Sequence, residues 1–373
     1  MTVSDTYDIA VVGGGLLGCT AALHLAFGGM RVVVLEAKAL CRQASGVNAG
    51  TLSIQVKEAE LIPYAMRSSE LWEAAPEWLG VDVGFRRLGG LTLAFTDTEA
   101  EMLKERMADR QAAGAPIEFV GINRAREIEP ALSDRPVLAS YCPLDGYSDS
   151  TRAGKAYRGA LLRNGVELRE NTPVTGVERD GVDFAIKTKS GVVKAHRVVL
   201  AGGLWLCDIM AWFGFRLTAE CRINQVSVTA RMGPTLRTIV GIANGFLSLK
   251  QVANGTVLIG GGWQGIGDLE RGGVEVVPEN FTANIRLAKY AVPAMADARV
   301  VRTWLGIEGH SENYLPLVGP LPGVEGAYVL GLVRGGYTIG PIVGKLLAEA
   351  ILGREPELPL FDPARALRPM VQA

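Results

Sequence analysis

A glycine-rich turn between an apolar strand and a helix, close to the start of the chain, constrains the fold more than any other feature. Residues 7–12 read YDIAVV, a continuous apolar run typical of a strand buried on both faces of a parallel sheet. The turn GGGLLG at 13–18 follows directly, and residues 17–26 continue at helical spacing. A second apolar strand at 31–35 ends on Glu36. Together these segments predict one β-α-β unit of a dinucleotide-binding fold.

The glycines of this turn have separate tasks in such a fold. Gly13 permits the tight turn, Gly15 lets backbone N–H groups approach a pyrophosphate, and Gly18 lets the helix pack closely on the strand. The positive end of the helix dipole then faces the phosphates. Glu36 would accept hydrogen bonds from both ribose hydroxyls, and its charge would repel a 2′-phosphate. The predicted cofactor residues are Gly13, Gly14, Gly15, Leu17, Gly18, Glu36 and Ala37. The alternative is a glycine-rich turn that binds nothing.

The composition is that of a globular protein with no electrostatic attraction to nucleic acid or membranes. The 373 residues suit two domains, and the formal net charge is −1. The five cysteines are scattered and form no CxxC pair, which argues against a disulfide framework or a metal site. The apolar stretch 9–27 has no basic segment before it and reads as strand and helix, not as a signal peptide. We therefore expect a cytoplasmic protein with no integral membrane segment.

Strand-like segments recur through the middle of the chain. Residues 86–96 and 117–120 look like strands on either side of a polar helix at about 97–114. Residues 222–230 and 246–262 are again strand-like, and a further helix follows at about 280–293. These pieces predict a mostly antiparallel sheet with attached helices.

The segment from 150 to 206 belongs instead with the N-terminal unit. It holds a helix at 153–163 and an apolar strand at 197–203 that ends in Ala-Gly-Gly, as expected where a parallel sheet faces a ligand. The predicted fold class is α/β plus α+β, a discontinuous Rossmann-like domain with an inserted, mostly antiparallel substrate domain. The predicted boundaries are 1–85, 142–218 and 303–373 for the first domain, and 86–141 and 219–302 for the second.

Four separated motifs are similar to those of flavin-dependent amino acid oxidases, the family that includes glycine oxidase, D-amino acid oxidase and sarcosine oxidase. They are the N-terminal turn with Glu36, RQASGVNAG at 42–50, Val174 with VLAGGLW at 199–205, and a C-terminal group of RTWLG at 302–306, LVG at 317–319 and residues 331–344. The resemblance covers nearly the whole chain. It implies FAD as the cofactor and oxidation of the C–N bond of an amino acid or a similar amine.

Within this family the chain most resembles the FAD-containing β subunits of heteromeric opine and hydroxyproline dehydrogenases and of hydrogen cyanide synthase. The segments AGTLS at 49–53 and YCPLDGY at 141–147 carry that likeness. It implies a small amino acid, imino acid or opine as substrate. It also implies electron transfer to partner subunits that hold an iron–sulfur or flavin group.

The resemblance further assigns the residues around FAD. Residues 42–50 would wrap the pyrophosphate and pass the flavin ring, and the loop at 335–340 would precede a helix with Pro341 in its first turn. The N–H groups of that turn would point at the flavin C2 carbonyl and stabilise negative charge on reduced flavin. No cysteine follows Cys221, so the FAD is expected to be non-covalent. The further predicted cofactor residues are Ala44, Ser45, Asn48, Ala49, Gly50, Leu52, Val174, Ala201, Gly202, Trp205, Gly335, Gly336, Tyr337, Thr338 and Ile339.

The same resemblance implies the substrate residues. Arg302 would bind a substrate carboxylate through its planar fork of donors, and Arg334 would assist or line the pocket. Glycine oxidases carry a carboxylate-binding tyrosine where this chain has Phe246, which predicts a bulkier or differently anchored substrate. Tyr337 would pack on the flavin ring, meet the substrate or fill the core. His310 would face the pocket or lie in a loop without a role.

Rival functions stay open on the sequence alone. A self-contained oxidase would pass electrons to oxygen and release hydrogen peroxide, whereas a dehydrogenase subunit would pass them to a partner. An NAD-dependent dehydrogenase would use the same N-terminal fingerprint but would leave the loop at 335–340 without a task. A non-catalytic flavin-binding assembly subunit would hold FAD without being reduced by any substrate.

Overall fold

The protein, described by a computed structural model over residues 6–268 and 273–370, is built on two eight-stranded β-sheets. Residues 1–5, 269–272 and 371–373, which the predicted domain ranges include, lie outside the described residues. The α-helices are α1 (Leu16–Phe27), α2 (Ile62–Glu73), α3 (Ala75–Leu79), α4 (Asp97–Ala112), α5 (Ile122–Ile128), α6 (Ser150–Arg163), α7 (Leu206–Ala211), α8 (Pro278–Ala291) and α9 (Gly336–Ile351). The strands are β1 (Thr6–Val12), β2 (Val32–Leu35), β3 (Thr51–Leu52), β4 (Arg86–Arg87), β5 (Gly90–Ala94), β6 (Glu118–Val120), β7 (Leu138–Cys142), β8 (Gly146–Tyr147), β9 (Glu167–Arg169), β10 (Val174–Asp180), β11 (Asp183–Thr188), β12 (Gly191–Leu200), β13 (Phe215–Arg216), β14 (Glu220–Thr229), β15 (Ile239–Ile242), β16 (Ser248–Gln251), β17 (Val257–Gly260), β18 (Ile266–Asp268), β19 (Gly273–Glu275), β20 (Val300–His310), β21 (Leu317–Pro320), β22 (Ala327–Gly331) and β23 (Arg368–Pro369).

The first sheet is parallel at its centre, where strands lie in the order β22-β12-β1-β2-β9. Ile9 and Val11 of β1 face the core that contains residues of α1, α6 and α9, and Ala10 and Val12 face a second core on the other side. Burial on both faces explains the continuous apolar run in β1. The β-α-β unit predicted from the glycine turn is therefore confirmed.

The second sheet has the strand order β20-β14-β17-β16-β15-β5-β7-β6. Its neighbouring strands are antiparallel, except for the parallel pair of β5 and β15. The predicted fold class, an α/β nucleotide-binding fold with an antiparallel sheet inserted, is confirmed. The predicted boundary between 302 and 303 needs correction, because it cuts β20, which pairs with β14 along both its halves.

Helix α9 begins at Gly336, earlier than predicted, and contains Pro341 in its interior. Proline has no N–H, so the Tyr337 carbonyl four residues before it lacks its usual helical donor. The indole of Trp72, a fully buried residue of α2, donates to the carbonyls of Tyr337 and Thr338 at 3.2 Å each. This side chain replaces the missing N–H, which is why the helix continues through the proline.

We predict that Trp72→Phe destabilises the protein by about 1–3 kcal/mol, because it leaves a buried carbonyl without a donor. The loss should shrink when Pro341→Ala is present, since the new alanine supplies the helical N–H to the same carbonyl. The measurement is a double-mutant cycle of urea unfolding. An equal loss in both backgrounds would show that the indole acts only by packing.

Candidate functional site

A cavity of about 990 Å³ lies where the carboxyl ends of the parallel strands meet the second sheet. From the first sheet it is lined by the glycine turn after β1, by Glu36 after β2 and by Ala201 after β12. From the second sheet it is lined by residues of β14, β20, β15 and β5. Its volume is at the upper end of ligand cavities, which suits a dinucleotide together with a small substrate.

The glycine turn is tightly packed except at Gly15. A Cβ atom on Gly13, whose φ is +109°, would lie 2.3 Å from the Ala201 carbonyl oxygen. A Cβ on Gly18 would lie 2.1 Å from the Gly13 carbonyl oxygen. A Cβ on Gly15 would meet only Ser45 Oγ, at 3.6 Å. The fold itself thus requires Gly13 and Gly18, whereas Gly15 leaves open space in the cavity wall of the kind that a pyrophosphate fills.

Both carboxylate oxygens of Glu36 are held by backbone donors. Gly14 N–H donates to Oε2 at 2.7 Å, and Lys38 N–H donates to Oε1 at 2.8 Å. Each carboxylate oxygen has two lone pairs, so each can accept one more hydrogen bond. The arrangement fits a ribose whose two hydroxyls both donate to Glu36.

Side chains and backbone tie the segment at 42–50 to its neighbours. Leu16 N–H, in the first turn of α1, donates to Ser45 Oγ at 3.0 Å. Trp304 of β20 donates its indole N–H to the Val47 carbonyl at 2.8 Å. The segment is therefore anchored on the helix that faces the pyrophosphate space and on the second sheet.

Most of the predicted cofactor residues line the cavity. They are Gly13, Gly14, Gly15, Leu17, Gly18, Glu36, Ala37, Ala44, Ser45, Asn48, Ala49, Val174, Ala201, Gly202, Trp205, Gly335, Gly336, Tyr337 and Thr338. Gly50, Leu52 and Ile339 are not among the lining residues. Leu52 and Ile339 are 2% and 0% exposed and pack in the core. Gly50 abuts Ser148, where a Cβ would lie 2.0 Å from the carbonyl oxygen.

Tyr337 lines the cavity, but its ring packs away from it. The ring stacks on Trp72 with centroids 4.9 Å apart, and its hydroxyl hydrogen-bonds Ser148 Oγ at 2.7 Å. Burial raises the pKa of Tyr337. Of the three roles expected for this residue, its ring fills the core. The backbone of the first turn of α9 still lines the cavity, where contact with a flavin carbonyl was expected, although the Gly336 and Thr338 N–H groups donate to the carbonyls of Val333 and Gly335.

Charged and polar side chains of β14 and β20 meet on the second-sheet wall. Arg222 and Glu308 stand directly opposite each other in the antiparallel register. Arg222 Nε donates to His310 Nε2 at 3.2 Å, and its terminal nitrogen approaches the Tyr314 hydroxyl at 3.4 Å. Glu308 Oε2 accepts from the Asn224 amide at 3.1 Å. Within residues 6–268 and 273–370, no carboxylate oxygen lies within 4 Å of the Arg222 guanidinium.

Arg334 lies near the same tyrosine. Its guanidinium carbon is 4.2 Å from the centre of the Tyr314 ring, and that of Arg222 is 6.0 Å from it. Glu58 is 3.5 Å from Arg334, and both side chains are partly exposed. Tyr314 has a φ of +62°, a strained value for a bulky residue. Arg334 lines the cavity, as expected from the sequence.

Two predicted substrate residues, and the histidine whose place was left open, lie outside the cavity wall. Arg302 is exposed near the start of β20 and is absent from the cavity lining, so the structure does not place it at the cavity as the sequence predicted. Phe246 is 40% exposed and packs on Trp263 with centroids 4.8 Å apart, beside the cavity but not in its wall. His310 is not in a loop: it is the last residue of β20, fully buried behind Arg222.

Two buried lysines complete the surroundings of the cavity, and neither was predicted. Burial lowers the pKa of Lys57 to about 8, and Lys57 Nζ donates to the Gly335 carbonyl at 3.3 Å. Burial lowers the pKa of Lys250 to about 7, and Lys250 Nζ donates to Thr51 Oγ1 at 2.5 Å. Lys57 and Thr51 line the cavity, so both amines lie at or just behind its wall.

The sequence carried only a weak signal for Arg222, Asn224 and Glu308. Arg222 and Asn224 are two positions apart in a strand, which places both on one face. Nothing in that pattern tells whether the face meets solvent or a cavity.

In the described ranges, no group of His, Cys, Asp and Glu side chains could hold a metal ion, and no helix is long and apolar enough to cross a membrane.

We predict that Gly15→Ala leaves the thermal stability of the apoprotein unchanged and weakens FAD binding at least about tenfold, because the new methyl group fills the pyrophosphate space. Gly18→Ala is the matched comparison and should destabilise the apoprotein itself, since its methyl group meets the backbone of the turn. Melting of apoprotein and fluorescence titration with FAD measure the two effects. An apoprotein weakened equally by both substitutions would contradict this assignment.

The chain is similar to known flavoenzymes over nearly its full length. The family model described as DAO, FAD dependent oxidoreductase, matches residues 8–350. Glycine oxidase of Geobacillus kaustophilus (strain HTA426) is 28% identical over 95% of both chains, and the B subunit of opine oxidase from Rhizobium meliloti is 27% identical over 88% of this chain and 89% of its own. The structure of L-proline dehydrogenase from P. horikoshii superposes with a TM-score of 0.87 at 26% identity, covering 97% of this chain and 98% of its own. The glycine turn and Glu36 at the cavity agree with these matches, and the chain belongs to the DAO family of FAD-dependent oxidoreductases.

Proposed function

We propose that this enzyme oxidises the C–N bond of an amino acid or secondary amine that carries a carboxylate. The observation that carries the proposal is Arg222, a half-buried guanidinium in the cavity wall with no carboxylate partner among the described residues. Its two hydrogen-bond partners are the His310 ring and the Tyr314 hydroxyl. An incoming carboxylate would supply the missing counter-charge and accept parallel N–H bonds from the guanidinium.

Residues around Arg222 fix the orientation of its guanidinium. His310 Nδ1 lies 3.1 Å from the Ser311 carbonyl, so it donates there and leaves Nε2 to accept from Arg222. Because His310 is fully buried, this orientation is held by packing as well as by hydrogen bonds. When bound, FAD supplies the chemistry by accepting a hydride from the substrate Cα. Arg222 holds the carboxylate next to that carbon, and the imine product then hydrolyses.

The names of the relatives agree with such a substrate. Glycine and proline, named in glycine oxidase and L-proline dehydrogenase, are both amines with a carboxylate on the neighbouring carbon. The pocket of this chain differs in detail, since Phe246 lies beside the cavity and Glu308 lies in its wall. A small amino acid, an imino acid or an opine would each present the carboxylate that Arg222 requires.

For the electron acceptor we propose a partner subunit with an iron–sulfur or flavin group, with this chain as the dehydrogenase subunit of a heteromeric complex. Relatives named as subunits support this, among them the B subunit of opine oxidase and the beta subunit of sarcosine oxidase. The glycine oxidase relatives support the second candidate, a self-contained oxidase that releases hydrogen peroxide. The FAD is proposed to be non-covalent, because the chain has no cysteine after Cys221.

Anaerobic spectroscopy of the flavin tests both parts of the proposal. The purified holoenzyme is mixed without air with D- and L-amino acids, N-methylglycine, prolines and opines, and is then exposed to air. Bleaching that persists in air supports the dehydrogenase subunit, and rapid return of the colour supports the oxidase. A flavin that no amine on the panel bleaches would contradict the proposed substrate class.

We predict that Arg222→Ala weakens substrate binding about 10- to 100-fold, the loss expected for charge-assisted hydrogen bonds worth about 1.5–3 kcal/mol. Arg302→Ala is the matched control and should leave binding unchanged, because Arg302 is exposed and outside the cavity. The dependence of the anaerobic bleaching rate on substrate concentration gives both values. The opposite ranking of the two variants would restore Arg302 as the carboxylate ligand.

A further inference from the structure

We propose that Glu308 binds the substrate's ammonium group and takes its proton before the C–N bond is oxidised. The inference rests on the proposed function and extends it from the substrate's carboxylate to its amino group. The amino group of a free amino acid lies next to an ionised carboxylate and has a pKa well above 7, so at neutral pH it is largely protonated. An ammonium nitrogen has no lone pair, and without a lone pair it cannot form the C=N bond as hydride leaves Cα. The proton therefore has to leave the nitrogen first, either to solvent or to a group in the cavity.

The register of β14 and β20 places a base beside Arg222 in the same wall of the cavity. Arg222 and Glu308 are directly opposite, and the Cβ atoms of such pairs are about 4.5–5.5 Å apart. In an amino acid the carboxylate and the nitrogen are attached to the same carbon, so its two charged groups also lie side by side. A substrate whose carboxylate binds Arg222 can therefore present its nitrogen to Glu308.

In the described part of the chain, these two opposite charges form no ion pair or hydrogen bond with each other. Arg222 directs its donors to His310 and Tyr314. Glu308 accepts instead from the Gly335 N–H, at 2.6 Å to Oε1, and from the Asn224 amide, at 3.1 Å to Oε2. A cross-strand Arg–Glu pair that is held apart in this way matches the two charges of a bound amino acid.

Glu308 also keeps the capacity to accept a proton. Each carboxylate oxygen already has one donor, and an ionised carboxylate offers about four acceptor positions. Both donors are neutral N–H groups, so they orient the carboxylate without supplying a proton of their own. The charged groups that face this region from neighbouring elements are Arg222 on β14, Arg334 in the loop before α9, and Lys57 with Glu58 and Asp145 around it.

The proton transfer conserves both atoms and charge. The N–H bond of the ammonium breaks and an O–H bond forms on Glu308, so a cation and an anion become a neutral amine and a carboxylic acid. The nitrogen lone pair freed by this step forms the C=N bond as the hydride leaves Cα for the bound cofactor. In the oxidation of the amine, Glu308 thus acts as a catalytic base that contacts the substrate nitrogen.

The pH dependence of anaerobic flavin reduction tests this inference on the holoenzyme, with whichever amine bleaches it. In the wild type the proton passes within the complex, so the saturating rate constant should change little with pH below the pKa of the amine. In Glu308→Gln the bound ammonium has to lose its proton to solvent. The rate constant should then fall about tenfold per pH unit below that pKa and so lie well below wild type at pH 7. Above the amine pKa, where the substrate arrives neutral, the variant should approach the wild type.

Glu312→Gln is the matched control, because Glu312 is an exposed glutamate four residues further along that does not line the cavity. It should keep the wild-type rate and profile. A wild-type rate constant that itself falls tenfold per pH unit would overturn the inference without any variant, and so would a Glu308→Gln enzyme with the wild-type profile. Either result leaves amine oxidation intact. A wild-type flavin that no amine reduces would instead remove the proposed function.

Discussion

The antiparallel pairing of β14 with β20 is the contact on which the arrangement of this site depends. The ladder runs from the pair of Glu220 and His310 to the pair of Thr229 and Val300. It brings Arg222 and Glu308 together from distant parts of the chain, and it places His310 behind the guanidinium. A slip of one residue would turn every side chain of a strand to the opposite face of the sheet. The strand register, and not any single motif, therefore determines which side chains meet on this wall.

The wall formed by the glycine turn after β1 combines tightly packed positions with one position that borders open space. Gly13 and Gly18 are needed because backbone atoms fill the space beside them, whereas Gly15 borders open space. The first turn of α9 faces the same cavity, and Trp72 keeps that helix intact past a proline. Trp304 links this wall to β20 through the Val47 carbonyl. The cofactor space and the substrate wall are thus held by one connected set of contacts.

Local patterns in the sequence predicted much of the fold and little of the substrate site. The strand, glycine turn and helix at the N-terminus lie close together in the chain, so their pattern indicates the structure directly. Arg222 and Glu308 become neighbours only through long-range pairing, and single-sequence patterns do not record such a register.

The two misplaced features have physical explanations. Arg302 is on β20, but six residues at about 3.3 Å each place it roughly 20 Å along the strand from Glu308. The motif position lies on a strand that lines the cavity, but at the end of it that does not reach the cavity. Pro341 indicated a helix start, and the indole of Trp72, contributed by another helix, overrides that signal. Both corrections come from tertiary contacts.

The most direct test of the central claim is a crystal structure of the FAD-loaded protein with N,N,N-trimethylglycine. This ligand has a carboxylate and a cationic nitrogen without a lone pair, so it can bind but cannot be oxidised. The account predicts that its carboxylate lies within hydrogen-bonding distance of the Arg222 guanidinium, with its nitrogen toward Glu308. A carboxylate bound at Arg302, or a ligand oriented with its nitrogen toward Arg222, would contradict the account.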